Sequence, residues 1–243
     1  MDEAAWRACT QPTLMLRFLR GRVSVRKLRL FAVACCRRVQ SLMADERSRA
    51  AVDLAERRAD GHVTEREVRA VRAAAKVVDD IVRSAYLTAR SSSEPPYGYG
   101  PAYAACNAAG AAAAVLSADA NIPASLAAYA LAGRDCATES KEAADDAFRA
   151  ATRAAFAEEA ELLRDIVGTP FQPVPFDPAW RTPNVVALAT VLYEDRRFKD
   201  MPVLADALEE AGCNNAGILA HCRQPGVAHT RGCWLIDLLL DKT

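Results

Sequence analysis

The sequence predicts an all-α protein, a compact bundle of about eight to ten helices crossed by an ordered proline-rich strap at 168–183. Three observations predict it. Apolar residues recur at three- and four-residue steps in one segment after another, and strand-like alternation does not. Cap residues, glycines and prolines punctuate those segments. The chain of 243 residues is 51% hydrophobic but only 7% aromatic, with abundant alanine, a composition suited to close helix packing around a sizeable core.

The elements follow in order. Ser24 can cap a helix over 24–43, SVRKLRLFAVACCRRVQSLM, which places Leu28, Phe31, Cys35, Val39 and Leu42 on one face. Its middle is apolar nearly all round, so this helix should be buried. Asp45 caps the next helix and Gly61 stops it. Thr64 and Glu67 have capping-box spacing before a long helix at 65–89, with Val68, Val71, Ala75, Val78, Ile81, Val82 and Ala85 as its apolar stripe. SSSEPPYGYGP, 91–101, is a loop or hinge. An alanine-rich helix at 102–118 comes next, then a short one opening at Pro123 and a long one that opens at Thr138 and ends near Gly168.

Pro170, Pro173, Pro175, Pro178 and Pro183 prevent regular helix in the strap. Phe171, Phe176 and Trp180 within it argue for order, since disordered linkers lack aromatics. Thr182-Pro183 fits an N-cap followed by a first-turn proline. NVVALATVLYEDRRF, MPVLADALEEAG, CNNAGILAHCR and RGCWLIDLLLDK complete the helices.

The net charge is zero but uneven. Residues 1–90 carry 19 Lys and Arg against 11 Asp and Glu, while the chain as a whole carries 31 of each. The expected organisation is a basic helical half (1–90), the 91–101 hinge and an acidic half (102–243), the halves attracting each other into one domain. MDEAAWRACT has no apolar h-region, and the alanine-rich 101–132 stretch is too weak to span a bilayer. A cytoplasmic location without membrane partners is expected, with the eight cysteines as reduced thiols.

Chemistry-bearing motifs are few. HExxH, GxSxG and Walker A patterns are missing, no lysine follows a glycine, and no Glu precedes a histidine by three residues. Asp79-Asp80 and Asp145-Asp146 diverge on a helix and read as solvated faces. Cys35-Cys36 reads as core. HCRQPGVAHTRGCW, 221–234, raises a metal question. Cys213, Cys222, His229 and Cys233, separated by eight, six and three residues, offer the thiolates and imidazole that zinc prefers. A metal-free reading accounts for the same residues. Gly212 is then a left-handed helix stop, Cys213 its apolar contact, Cys222 core and Pro225-Gly226 a turn. His221 would point beside Cys222, near solvent or at a helix C-terminus.

Arg17, Arg20, Arg22, Arg26, Lys27, Arg29, Arg37 and Arg38 make an acid-free basic segment, 17–38. It could bind phosphate or nucleic acid, or pair with the acidic half. In the 91–101 region, Tyr97, Tyr99 and the nearby Tyr103 could form a protein-contact surface. MPVLADALEEAGCNNAGILAHCR has a helix-turn-helix outline, but its second helix is short of basic residues.

KLRLFAVACCRRV, FDPAWRTPNVVALA and the stretch from MPVLADALEEAG to CWLIDLLLDK resemble a paralogous family of planctomycete-type bacterial proteins of no assigned activity. LADALEEAG is also similar to part of a short bacterial repeat-companion domain. The resemblance implies no catalytic residue or cofactor. The expected role is therefore a non-catalytic helical scaffold or protein-interaction module with a protein partner. Nucleic-acid or phosphate binding through 17–38 and a structural zinc module at 213–233 are the alternatives.

Overall fold

The computed structural model describes residues 1–91, 97–117, 119–134, 136–138, 140–224, 226 and 228–242, with backbone alone for 91, 97, 98, 137 and 138. Residues 92–96 of the expected hinge and Pro225 of the expected turn lie outside these. The described residues form twelve α-helices: α1 (Glu3–Ala8), α2 (Pro12–Leu19), α3 (Val25–Arg38), α4 (Glu46–Ala59), α5 (Glu65–Ser91), α6 (Pro101–Ala114), α7 (Asn121–Gly133), α8 (Lys141–Val167), α9 (Pro183–Glu194), α10 (Met201–Glu210), α11 (Ala216–Arg223) and α12 (Trp234–Leu239). A two-residue antiparallel bridge joins Tyr97–Gly98 to Ala137–Thr138, and the all-α class holds. No described helix is long and apolar enough to cross a membrane.

Local chemistry sets the helix starts. Ser24 accepts from the Lys27 N–H, Asp45 from Arg47 and Thr182 from Val185. Thr64 and Glu67 form the reciprocal capping box, at 2.7 and 3.3 Å. Gly168 ends α8 at φ +70°, and Gly212 follows α10 at φ +87°. The Cys213 N–H closes a Schellman-type bond to the Leu208 carbonyl.

The added helices, α1 and α2, fall in the first 23 residues. Asp2 caps α1 by accepting from the Ala5 N–H, and Pro12 opens α2. The long eighth helix begins at Lys141 behind a Ser140 cap, not at Thr138. Ile81, expected in an apolar stripe, is 57% exposed, and Asp79, expected in solvent, is buried between Lys76 and Arg83. Both differences reflect where neighbouring helices cover α5, which its own periodicity does not encode.

The apolar residues form two clusters. The first fills α1–α8 around α3, with Phe31, Cys35 and Cys36 at its centre. The second fills α9–α12 around Tyr193, Leu204 and Ile236. The strap joins them: Phe171 stacks on Phe18 at 5.4 Å in the first cluster, while Phe176 and Trp180 meet edge to face at 5.5 Å in the second. Helices α5 and α6, on either side of residues 92–96, share the first cluster.

Polar groups dominate the junction between the clusters. Arg26 binds Asp60 and Asp237 and donates to the Tyr193 hydroxyl at 2.8 Å. Lys27 reaches Asp237 at 2.6 Å. Buried Glu56 faces Arg37, Arg196 and Arg231.

Candidate metal centre

Four potential donors converge at this junction from both clusters. Asp165 comes from the last turn of α8, His221 from α11, His229 from the following loop and Cys233 from the cap position of α12. Their donor atoms lie within 4.8 Å of one another.

The surrounding chain fixes each carrier. Trp6 Nε1 donates to the Gly168 carbonyl at 3.2 Å, anchoring the end of α8 just beyond Asp165. Trp234 packs so closely on Gly168 that a Cβ there would sit 3.0 Å from its ring. Asn215 caps α11 by accepting from the Gly217 and Ile218 N–H groups, and its own amide donates to Pro175 of the strap. Lys27 Nζ donates to the Ile166 carbonyl at 2.9 Å and the Gly232 carbonyl at 2.7 Å. One ammonium thus holds the neighbours of Asp165 and Cys233 together. Gly232 is required there: at φ +92°, a Cβ would lie 2.8 Å from Leu30 Cδ1.

Asp165 Oδ1 lies 2.6 Å from His229 Nδ1 and 3.6 Å from His221 Nε2. Its Oδ2 accepts from the Thr230 N–H at 3.0 Å. Cys233 Sγ is 3.2 Å from His221 Nε2. The His221 and His229 rings meet edge to face at 4.8 Å, and Trp234 covers His221 at 4.9 Å. Both Asp165 and Cys233 are buried, and the His221 side chain is only 14% exposed. Nε2 of His229 is buried without a hydrogen-bond partner among the described residues.

A cysteine, a histidine and an aspartate at these distances invite a nucleophile reading, which the geometry disfavours. A catalytic imidazole meets its nucleophile through one nitrogen and its carboxylate through the other. Here sulfur and carboxylate oxygen both face Nε2 of His221. Convergence on one point is the pattern of ligands around an ion. Tetrahedral zinc, with Zn–S near 2.3 Å and Zn–N or Zn–O near 2.0 Å, separates its ligand atoms by roughly 3.3–3.6 Å. The two His221 distances fall close to that range, and the His229–Asp165 pair would open by less than about 1 Å.

Burial, opposed by the Asp165 carboxylate and aided by the nearby His229, pushes His221 down to about 4, so its imidazole is neutral and available as a ligand. Burial and the Asp165 carboxylate push the Cys233 thiol well above its usual range. A bound divalent cation reverses that preference and drives off the thiol proton.

Of the residues expected from sequence to ligate a metal, His229 and Cys233 meet in this cluster. Cys213 and Cys222 pack in the second apolar cluster instead, and burial pushes Cys222 up to about 12. His221, expected near solvent or at a helix C-terminus, does lie in the last turn of α11, but its ring turns inward against Trp234 and His229. Asp165 carries no sequence signal of its own. It precedes His229 by 64 residues and lies on a different helix from His221, so no local motif could include it. Only the fold brings it to the histidines.

Half of the basic segment is consumed by ion pairs. Arg26 and Lys27 bind Asp237, Arg37 binds Asp53 and Glu56, and Arg38 binds Glu158. Arg29 donates to the Arg58 carbonyl, and Arg22 lies over the Phe18 ring. The Arg17 and Arg20 side chains have no ion pair or hydrogen bond among the described residues and line one cavity. Tyr99 and Tyr103 are half-buried rather than presented to solvent: Tyr99 stacks on Phe148 at 3.8 Å and meets Tyr103 edge to face at 4.9 Å. The Tyr97 side chain lies outside the described residues.

No protein-family model, curated protein or solved structure matches the chain.

Proposed function

We propose that the chain is a non-catalytic helical scaffold whose two apolar clusters are clasped by a structural zinc ion held by Asp165, His221, His229 and Cys233. The observation that carries this reading is the approach of Cys233 Sγ and Asp165 Oδ1 to the same nitrogen of His221. The donor chemistry supports zinc in particular. Calcium and magnesium take oxygen ligands, whereas zinc accepts sulfur, nitrogen and oxygen together. Four protein donors would fill a tetrahedral shell and leave no position for a substrate, the mark of a structural site. The scaffold's partner is a protein, docked on the helical surface that the clasp holds in place.

Metal analysis of protein made without a histidine tag tests the centre. About one equivalent of zinc is expected, falling sharply in a His221→Ala, Cys233→Ser double variant. Less than about 0.1 equivalent after incubation with zinc would sink the reading.

A further inference from the structure

We infer that the cavity between α2, the start of α3 and the start of α7 binds a small organic phosphate through Arg17 and Arg20. The cavity measures about 460 Å³, within the size range of small-molecule sites. Its floor is apolar, from Leu16 and Leu28, and its rim carries Thr13, Arg17, Arg20 and Asn121. Two guanidinium groups distinguish it. Around them, basic residues of the same segment are held by carboxylates, a carbonyl or an aromatic face, whereas these two meet no partner among the described residues. Guanidinium groups match phosphate oxygens in geometry and charge.

The rest of the rim is consistent with such a ligand. The Thr13 hydroxyl donates to Asn121 Oδ1 at 2.7 Å, which orients the Asn121 side chain and leaves its amide N–H groups for a ligand. Asp119 also lines the cavity and opposes an anion there. Its Oδ1 is engaged by the Asn121 N–H at 2.9 Å. A ligand must therefore draw on the apolar floor as well as the arginines, which favours a phosphate ester over a bare anion. Nucleic acid fits less well. Duplex binding relies on many phosphate contacts along a track, and the arginines that line this cavity are two neighbours rather than a track.

Calorimetric titration of the full chain at low salt tests the site, with adenosine 5′-monophosphate, inorganic phosphate, adenosine and a duplex oligonucleotide as probes. The monophosphate is expected to bind at least tenfold more tightly than inorganic phosphate or adenosine. Arg17→Ala with Arg20→Ala should weaken it at least tenfold. Both residues are exposed, so the variant should fold, as its circular dichroism will show. Asp119→Asn, which keeps the cap acceptor, should tighten binding. The inference is overturned if the monophosphate does not bind, if the double variant binds it unchanged, or if the duplex binds more tightly than the monophosphate. The metal centre plays no part in this result.

Discussion

Burying an ionised carboxylate without hydrogen bonds costs several kcal/mol, so such a group keeps its proton instead. Glu159 is 0% exposed, and neither carboxylate oxygen has a hydrogen-bond partner within normal geometry among the described residues. It faces Cys35, Cys36 and Arg38 of α3. Burial pushes it up to about 8, although Arg38 and the Cys35 thiol pull the other way. The unfolded chain has the ordinary value, about 4.3. Between these values the folded state holds a proton that the unfolded state has released, so stability falls as pH rises from about 4.3 to about 8 and levels off above. Glu159→Gln should flatten that dependence and raise stability at pH 8 by about 2–5 kcal/mol, with little effect at pH 4. Urea unfolding of both proteins at the two pH values checks it; equal slopes would show that Glu159 is ionised in the fold. The sequence identified Cys35-Cys36 as core but not this neighbour. Glu158 and Glu159 differ by about 100° of helix rotation, and which one turns inward depends on where α3 crosses α8.

At the scale of elements, legibility followed the range of the interaction. Ser24, Asp45, the Thr64–Glu67 box, Thr182, Gly168 and Gly212 act within about five residues of themselves, and each was readable in order. Helices α1 and α2 were not, because six and eight residues are too short for periodicity to stand out. They are held by tertiary contacts such as buried Trp6 reaching Gly168. Asn215 joins both ranges: it caps α11 and ties that helix to the strap at Pro175. Asn215→Ala should cost about 1–2 kcal/mol through the lost cap. Asn215→Asp keeps an acceptor for the cap but loses the strap bond, so it should cost less. Because α11 carries His221, the alanine variant should also bind zinc more weakly than the aspartate variant. Thermal melts with and without added zinc measure both effects.

The two apolar clusters meet across charged groups rather than a shared hydrophobic face, and that gives the whole molecule a point of weakness. Buried ion pairs such as Arg26–Asp237 fix how the clusters dock, but desolvation offsets much of their attraction. A metal bound by Asp165 on one side and by His221, His229 and Cys233 on the other would supply a further link, whose net strength is set by its affinity for the docked state. Binding to the docked state alone adds about 2.7 kcal/mol when free zinc exceeds its dissociation constant a hundredfold. Removing zinc with a chelator should therefore loosen the junction before it melts either interior. Hydrogen exchange should speed up first across residues 216–239 and near the end of α8, while the buried middle of α3 stays protected. Tryptophan fluorescence should change as well, since Trp234 covers His221 and packs on Gly168. Adding zinc should restore both signals, and magnesium should not. Uniform acceleration through α3 and α12 together would instead mean that the two clusters unfold as one cooperative unit and that the ion holds no separable junction.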